Sequence, residues 1–483
     1  MNAAPELRVT GVDLFEAPYR LRLPFRFGVI TVTEGVQAIA RVRVRLADGR
    51  EATGYAAEAL GAKWFDKNPQ LSDEDNRHQL RRAVQLTRDA YLQAGPMTAF
   101  GLHAKHYPAL IAACGAEQSP PLVASYGPAL LDRAVLDALC RAQGISFFDA
   151  MRANLAGLDA TLTPDLADFD LPAMLAGLAP LPRIDVRHTV GLVDPITAAD
   201  QAPGTRVNDG LPETLEEVIA TYGNRWFKLK VSGQLDADID RLARIAAVLD
   251  AQGSPYRVTL DGNEQYADAA AITALWERAR VTPALAQLVA STLLIEQPIK
   301  RQQALAEPVD ALARHRPVII DESDGEIDAF LRARALGYAG VSTKSCKGLY
   351  KSLLNLARCR MWNAQEAPGA AGRYFMSAED LTMQPGTAVQ QDLALVSLMG
   401  ITHVERNAHH FIDGFDGRPR AEAREFMTAH PDLYEDTQGP VRLRLMQGQL
   451  ALGSLATPGF GSGVSPQLDS TAAMPAAAWP AAA

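Results

Sequence analysis

The chain has 483 residues, which is too long for one small hydrophobic core and predicts two or three domains. Hydrophobic residues make up 48% of the sequence and charged residues 21%, as in an ordinary soluble globular enzyme. The net charge is -9 and no basic stripe offsets it, so the composition argues against a general nucleic-acid-binding protein.

Cysteine usage and the first residues favour a protein of the cytoplasm. Residues 1–6 show no basic stretch followed by an apolar core, and no run of about 18 apolar residues occurs anywhere. The cysteines lack C-x-x-C spacing, so they indicate neither a zinc site nor a disulfide framework. They are Cys114, Cys140, Cys346 and Cys359. We therefore expect a soluble cytoplasmic protein with no membrane partner.

The N-terminal part of the sequence predicts an α+β domain over residues 1–155. Residues 7–60 have the alternating pattern of antiparallel strands, in which Val42 and Val44 alternate with arginines. These arginines could bind an anion, although a charged outer sheet face explains them better. Helical patterns then follow, from Ser72 to about Gln93 and from Pro128 to Gln143.

Two loops flank this predicted sheet, at residues 23–28 and 61–67. Both mix aromatic and cationic residues, a composition suited to covering a small anionic ligand. Phe25, Arg26 and Trp64 are therefore our candidates for substrate binding.

After a connecting segment at 156–183, the sequence alternates strand-like and helix-like stretches over residues 184–410. The strand candidates are 184–192, 225–231, 256–261, 292–296, 317–321, 340–344, 373–377 and 402–406. Eight strands alternating with helices predict a (β/α)8 TIM-type barrel of the α/β class, capped by the N-terminal α+β domain. Catalytic groups of such barrels lie at the C-terminal ends of the strands.

The alternation stops near residue 411. Residues 411–465 are expected to return to the capping domain and complete it, and 441–452 have the pattern of a hairpin. The Ala/Pro-rich tail, 466–483, is expected to be disordered.

Lys228 and Lys230 lie two residues apart in the second barrel strand. Alternation places them on one face, with Phe227, Leu229 and Val231 on the other. Repulsion between the two ammonium groups should lower the pKa of one lysine toward the range in which it acts as a base. For the K-x-K pattern alone, a solvated strand edge is the commoner explanation.

Acidic residues end the next strands. Asp261, Glu296 and Asp321 each terminate an apolar run, and Lys344 ends the sixth strand. One such acid is usually a helix cap. Three carboxylates in one barrel mouth would repel each other unless a divalent cation held them, and oxygen ligands favour Mg2+ or Mn2+ over zinc.

As a set, these motifs resemble the enolase superfamily and, within it, the muconate lactonizing enzyme subgroup. The resemblance covers most of the chain. The matching motifs are Lys228-x-Lys230, Asp261-Gly262-Asn263, Glu296-Gln297-Pro298, Asp321-Glu322-Ser323 and Lys344.

The resemblance implies that Asp261, Glu296 and Asp321 bind Mg2+, which in turn binds the substrate carboxylate. Asn263 and Glu322 are then candidates to support these ligands from outside. It also implies a homo-oligomer, a small-molecule carboxylate substrate and no nucleic-acid partner.

The resemblance further implies that Lys230 and Lys344 face opposite sides of the substrate α-carbon, while Lys228 bonds the carboxylate. The expected reaction removes the α-proton through an enediolate, which Mg2+ stabilises, and ends in racemisation or epimerisation, cycloisomerisation or dehydration. The resemblance assigns no role to the acids of strand seven, Glu379 and Asp380.

Two alternatives stay open. A barrel hydrolase that uses paired carboxylates would explain the acids but leaves the lysines without a task. A catalytically silent barrel that serves as a binding protein would be expected to have lost one or more of the mouth residues.

Overall fold

An antiparallel sheet forms the first layer of the molecule. The computed structural model describes residues 4–27, 30–366, 372–436 and 439–480. Its first strands are β1 (Leu7–Phe27), β2 (Ile30–Leu46) and β3 (Glu51–Ala59), and β2 lies between the other two. Val42 and Val44 are buried, whereas Arg43 pairs with Asp13 on the opposite face. The arginines therefore form the charged outer face of the sheet.

Helices pack on the buried face of this sheet and lead to the barrel. They are α1 (Ala62–Phe65), α2 (Asp73–Gln93), α3 (Ala99–Ala116), α4 (Pro121–Gln143), α5 (Phe147–Arg152) and α6 (Leu171–Ala176). Ser72 caps α2 in a capping box with Asp75. Helix α4 begins before the predicted Pro128, because Pro121 already supplies the N-terminal proline signal.

A parallel sheet forms the barrel. Its strands, among the described residues, are β4 (Arg183–Val190), β5 (Trp226–Lys230), β6 (Arg257–Asp261), β7 (Thr292–Glu296), β8 (Val318–Ile320), β9 (Gly340–Thr343), β10 (Phe375–Ala378) and β11 (His403–Glu405). Each strand from β4 to β10 pairs with the next, and β11 pairs with β4. A parallel bridge between Glu379 and Glu405 joins β10 to β11 and closes the ring. Arg187 of β4 reaches across this seam to donate to the Ala378 carbonyl at 3.0 Å. The predicted (β/α)8 barrel with an α+β cap is thus confirmed.

The barrel strands are connected largely through helices. These are α7 (Leu215–Tyr222), α8 (Leu235–Ala251), α9 (Ala269–Val281), α10 (Ala286–Ser291), α11 (Arg301–Ala304), α12 (Asp310–Ala313), α13 (Ala329–Ala335), α14 (Leu349–Gln365), α15 (Thr387–Leu398) and α16 (Ala408–Phe411). A 3-10 turn, Ser345–Lys347, follows β9. None of the helices in the described part of the chain has both the length and the apolar character of a membrane span.

The C-terminal segment touches both layers. Helix α17 (Arg420–Ala429) precedes β12 (Tyr434–Asp436) and β13 (Val441–Leu443), which pair with each other. Strand β14 (Gln449–Ala451) pairs instead with β4 of the barrel, so 441–452 is not one closed hairpin. Further on, Phe460 stacks on Phe147 with ring centroids 3.8 Å apart.

The expected disorder of the tail does not hold for residues 466–480. Strand β15 (Ala472–Ala473) pairs with β1, and the Met474 amide donates to the Leu14 carbonyl at 2.9 Å. The Trp479 indole also donates to the Glu117 carbonyl. An Ala/Pro tract buries little apolar surface of its own, but here the exposed edge of β1 supplies backbone partners. Residues 481–483 of the predicted tail lie outside the described residues.

A buried ionic network joins the cap to the barrel. Glu58 of β3 pairs with Arg133 of α4 at 3.0 Å, and the Ser345 hydroxyl donates to the same Glu58 oxygen at 3.0 Å. Both charged side chains are buried. Burial raises the pKa of the Glu58 carboxyl from 4.5 to about 7, although Arg133 opposes this shift.

Replacing Glu58 should change how stability depends on pH. The folded protein holds the Glu58 proton more tightly than the unfolded chain does, so the free energy of unfolding falls as pH rises from 4.5 to about 7. The glutamine of Glu58→Gln does not titrate. Across that window we expect the free energy of unfolding of this variant to fall by about 2 to 3 kcal/mol less than that of wild type. Urea unfolding of both proteins from about pH 5 to about pH 7 measures the difference; parallel curves would contradict the assignment.

Candidate functional site

The predicted site residues meet at the C-terminal mouth of the barrel. In β5, Phe227 and Leu229 pack into the core between strands and helices, so alternation turns Lys228 and Lys230 toward the barrel axis. Lys230 lies beside Asp261 in the sheet register, and Asp261 lies beside Glu296. Adjacent strand ends therefore bring the cations and acids into one buried cluster.

Lys228 lies at the centre of four carboxylates. Its Nζ is 2.8 Å from Asp261 Oδ2, 3.0 Å from Glu296 Oε2, 2.5 Å from Glu379 Oε2 and 2.7 Å from Glu405 Oε2. Lys228 is fully buried, so water does not screen these contacts. Lys230 is close to Asp261 alone in this group, with Nζ 2.6 Å from Oδ2.

These acids determine the pKa of Lys228. Burial alone would lower the pKa of its ammonium group, but Asp261, Glu296 and the other two carboxylates outweigh burial and raise it well above the usual value. The lowered pKa expected for one of the two lysines is therefore not that of Lys228. Spacing within one strand did not reveal how many acids other strands bring to the same place.

Asp261, Glu296 and Glu379 form a group that could hold a metal ion, since one oxygen from each lies within 4.8 Å of the others. Burial would raise the pKa of Asp261, but Lys228 and Lys230 lower it to about 2. Burial and the charge of Glu379 raise the pKa of Glu296 to about 7. Neither oxygen of Glu296 accepts a hydrogen bond from a described residue. Glu296 Oε2 does lie 3.0 Å from the Lys228 ammonium group. An oxygen-only donor set that includes a buried carboxylate without hydrogen bonds fits a hard divalent cation.

Asp321 lies next to this group, where it contacts two lysines. Lys344 Nζ is 2.9 and 3.0 Å from its two carboxylate oxygens, and Lys347 Nζ is 2.7 Å from Oδ1. Lys344 also contacts Glu379. Burial would lower the pKa of Lys344, but Asp321 and Glu379 outweigh it and raise the pKa.

Asn263 and Glu322, predicted to support the metal ligands, lie at the outer edge of the acidic cluster. The Asn263 backbone amide donates to Asp261 Oδ1 at 2.8 Å, and its side chain donates to Glu322 Oε1 at 3.3 Å. Lys67 of the cap pairs with the same Glu322 oxygen at 3.1 Å. Glu322 thus points toward the cap rather than toward Asp261 and Glu296, as strand alternation predicts.

The remaining motif residues fix the backbone of the strand ends. The side-chain oxygen of Gln297 accepts from the amides of Asp321 and Ser323 at 2.8 and 3.1 Å, and its amide group donates to the Ser323 hydroxyl. These bonds tie the ends of β7 and β8 together. They fix the position of Asp321 through its backbone amide and do not involve its carboxylate.

One cavity lies between the cap and the barrel mouth, and both Lys230 and Lys344 line it. Glu379 and Glu405 also line it. Its opposite wall comes from the cap and is largely apolar, with Leu21, Phe25, Ile30, Val32, Leu60 and Trp64, although Glu34, Lys63, Asp73 and Arg77 also line it. The cavity therefore joins a charged floor to an apolar roof.

Trp64 lies over the lysines. Lys344 Nζ is 4.1 Å from the centre of the Trp64 ring system, within the range of a cation–π interaction. Arg301 of the barrel donates to the carbonyls of Trp64 and Phe65 at 3.0 and 2.7 Å, and Arg301 itself pairs with Glu264. The barrel thus holds the position of α1 above the acids.

The segment predicted as a loop at 23–28 is partly a strand. Phe25 and Arg26 belong to β1 and pair with Val32 and Thr31 of β2, because the hairpin extends beyond the predicted sheet. Phe25 lines the cavity and packs on Phe411 at 4.7 Å between ring centroids. Arg26 is not among the described lining residues. Gly28, the end of the predicted loop, lies outside the described residues.

Sequence reasoning missed Glu379, Glu405 and Lys347 as members of the cluster. Glu379 follows the last residue of β10, and Glu405 ends β11. Both obey the strand-end rule that identified Asp261, so the signal was present in the sequence. Lys347 follows β9 within the 3-10 turn and had no such strand-end position.

His409 and His410 lie apart from this cavity. Their rings pack around His188, with centroid distances of 5.8 and 5.0 Å, and all three side chains are buried. Burial lowers the pKa of each imidazole, that of His188 to about 3. The histidines are thus part of the packing between β4 and α16.

Comparison with known proteins decides the family. The family model described as enolase C-terminal domain-like matches residues 210–461, slightly more than half of the chain. The chain belongs to this family. The resemblance to the enolase superfamily and its mandelate racemase/muconate lactonizing enzyme-like members is thereby confirmed. No curated protein matches the chain.

Solved structures of enolase superfamily proteins resemble the whole chain. A dipeptide epimerase from Enterococcus faecalis V583, complexed with Mg and the dipeptide L-Leu-L-Tyr, is 14% identical with a TM-score of 0.60, over 94% of this chain and 99% of that one. An enolase from Bradyrhizobium, complexed with magnesium and mandelic acid, is 17% identical with a TM-score of 0.58, over 97% and 99%. An isomerase from Streptomyces coelicolor A3(2) is 17% identical with a TM-score of 0.58, over 96% and 97%. At these identities the similarity establishes the shared fold.

Removing the central cation should destabilise the protein. Lys228→Met leaves four buried carboxylates without their common counter-ion, so we expect a loss of about 3–5 kcal/mol in the free energy of unfolding. The control is Arg45→Met, which breaks an exposed ion pair with Glu51 and should cost less than about 1 kcal/mol. Urea unfolding in EDTA compares the two variants, and equal losses would contradict the central role of Lys228.

Proposed function

We propose that this protein is an enzyme that removes a proton α to the carboxylate of a small-molecule substrate, with the help of Mg2+. The observation that carries this proposal is that Lys230 and Lys344 line the same cavity. They come from β5 and from the end of β9, with β6, β7 and β8 between them in the barrel wall. Two amines approaching one cavity from separate strands suit proton removal on one face of an α-carbon and delivery on the other.

Asp261, Glu296 and Asp321 are the metal ligands that family resemblance implies, and we retain them in the proposal. Support comes from Asp261 and Glu296 oxygens that lie within 4.8 Å of each other and from the lack of hydrogen bonds to Glu296. When bound, Mg2+ would stabilise the negative charge that develops on the substrate carboxylate as the α-proton leaves. Two similar solved structures hold Mg together with a dipeptide or mandelic acid, which agrees with a carboxylate substrate.

Each lysine then has a distinct task. Lys228, which pairs with the surrounding acids, remains positively charged and keeps these carboxylates together beneath the substrate. Lys230 and Lys344 move the proton. Among the reactions that such a pair supports, racemisation or epimerisation uses both lysines directly, and we place it ahead of cycloisomerisation and dehydration.

The cavity wall suggests what the substrate carries besides its carboxylate. Leu21, Ile30, Val32 and Leu60 face the charged floor from the side of the cap. An apolar substituent buries surface against these side chains, whereas the hydroxyl groups of a sugar acid would lose their water there without enough partners. We therefore favour carboxylates with an apolar substituent, such as N-acylamino acids or dipeptides with apolar side chains.

The test follows exchange of the α-proton for solvent deuterium by mass spectrometry. Wild type with Mg2+ is incubated in D2O with single enantiomers of N-acylamino acids, dipeptides, lactones and sugar acids. Lys230→Met and Lys344→Met should each reduce exchange by about a hundredfold or more, each most strongly for the enantiomer whose α-proton faces the missing lysine. Lys105→Met, which removes an exposed lysine of α3, serves as the control and should keep the wild-type rate.

Three outcomes would contradict this function. If the protein binds Mg2+ but exchanges the α-proton of none of these substrates, the proposed proton transfer is contradicted. Hydrolysis of glycosides that survives loss of Lys230 would favour the barrel hydrolase. Absence of saturable Mg2+ binding would favour a silent binding protein. A cytoplasmic homo-oligomer stays a prediction, made from composition and resemblance.

A further inference from the structure

Glu379 occupies a position that connects two parts of the cluster. It follows β10 directly, and its backbone forms the bridge to Glu405 that closes the barrel. Its Oε2 lies 2.5 Å from Lys228 Nζ, and its Oε1 contacts Lys344. One carboxylate therefore faces both the metal-binding acids and a lysine that lines the cavity.

A second observation concerns Glu296, which forms an ion pair with Lys228 at 3.0 Å. Glu296 is 0% exposed, and neither of its carboxylate oxygens accepts a hydrogen bond from a described residue. One of these oxygens lies within 4.8 Å of ligand oxygens from Asp261 and Glu379. A buried carboxylate without hydrogen bonds is costly unless a positive charge compensates it.

We propose that Glu379 is a ligand of the divalent ion, together with Asp261 and Glu296. This inference rests on the proposed Mg2+-dependent function and adds to it a carboxylate from barrel strand seven. In the structure, the ammonium group of Lys228 lies among the same three acids and compensates their charge. A ligand from strand seven would join the ion to the seam at which the barrel closes.

Lys344 does not require Glu379 as a counter-ion. Both oxygens of Asp321 already lie within 3.0 Å of Lys344 Nζ. Metal binding by the oxygen of Glu379 that pairs with Lys228 would therefore leave Lys344 paired with Asp321. Pairing with Lys344 alone therefore does not explain the position of Glu379.

Glu405 provides the contrast. It lies as close to Lys228, at 2.7 Å, and is equally buried. Its other oxygen, however, accepts hydrogen bonds from Thr189 and from Asn407. Glu405 is thus held by the protein itself and lies outside the three-acid group, which makes it a matched control for Glu379.

The experiment measures Mg2+ binding by isothermal titration calorimetry in wild type, Glu379→Gln and Glu405→Gln. Both substitutions remove one buried negative charge next to Lys228. Loss of a ligand should weaken Mg2+ binding by about 10- to 100-fold in Glu379→Gln, whereas Glu405→Gln should stay within about threefold of wild type. Saturating Mg2+ should also raise the melting temperature less in Glu379→Gln than in Glu405→Gln.

The outcomes separate this inference from the function on which it rests. If wild type shows no saturable Mg2+ binding, the proposed function itself fails. If wild type binds and the two variants bind equally well, the inference about Glu379 is overturned while the function stands. Circular dichroism establishes that each variant is folded. Should Glu379→Gln fail to fold, Glu379→Asp and Glu405→Asp replace the pair, and a larger loss of affinity in the former is again required.

Discussion

Charge compensation in a buried cluster is the constraint on which this site depends. Five carboxylates and four lysines meet at the barrel mouth, and all of them are nearly inaccessible to water. Like charges at such distances are tolerated in a low-dielectric interior only when opposite charges lie between them. Lys228 provides that charge, while burial and the charge of Glu379 still raise the pKa of Glu296. A divalent cation is the natural complement to such a group.

The cap completes the site because the barrel holds it in place. Arg301 binds the backbone of Trp64 and Phe65, and Lys67 pairs with Glu264 and Glu322. These contacts keep Trp64 over Lys344, where the ring excludes water from one side of the ammonium group. The cavity therefore has its largely apolar wall in the cap and its charged floor in the barrel.

The sequence predicts the barrel well because its signals are local. Apolar runs that end in acids mark the strands, and strand alternation correctly orients Lys228 and Lys230 toward the axis. The pKa of Lys228 could not be predicted in this way, since it depends on acids that four other strands bring within 3.0 Å. The order of the tail was missed for the same reason: its backbone partners belong to β1, far away in the sequence.

The residues that close the barrel also belong to the charged cluster. Glu379 and Glu405 belong to the last two barrel strands in the chain, and their backbones make the bridge that closes the ring. Their side chains meet Lys228 of the second barrel strand, so the cluster is complete only when the C-terminal strands have docked against the N-terminal ones. The acids and the lysine are therefore buried together only in the closed barrel. Closure places a cation among carboxylates that could not be buried side by side without one.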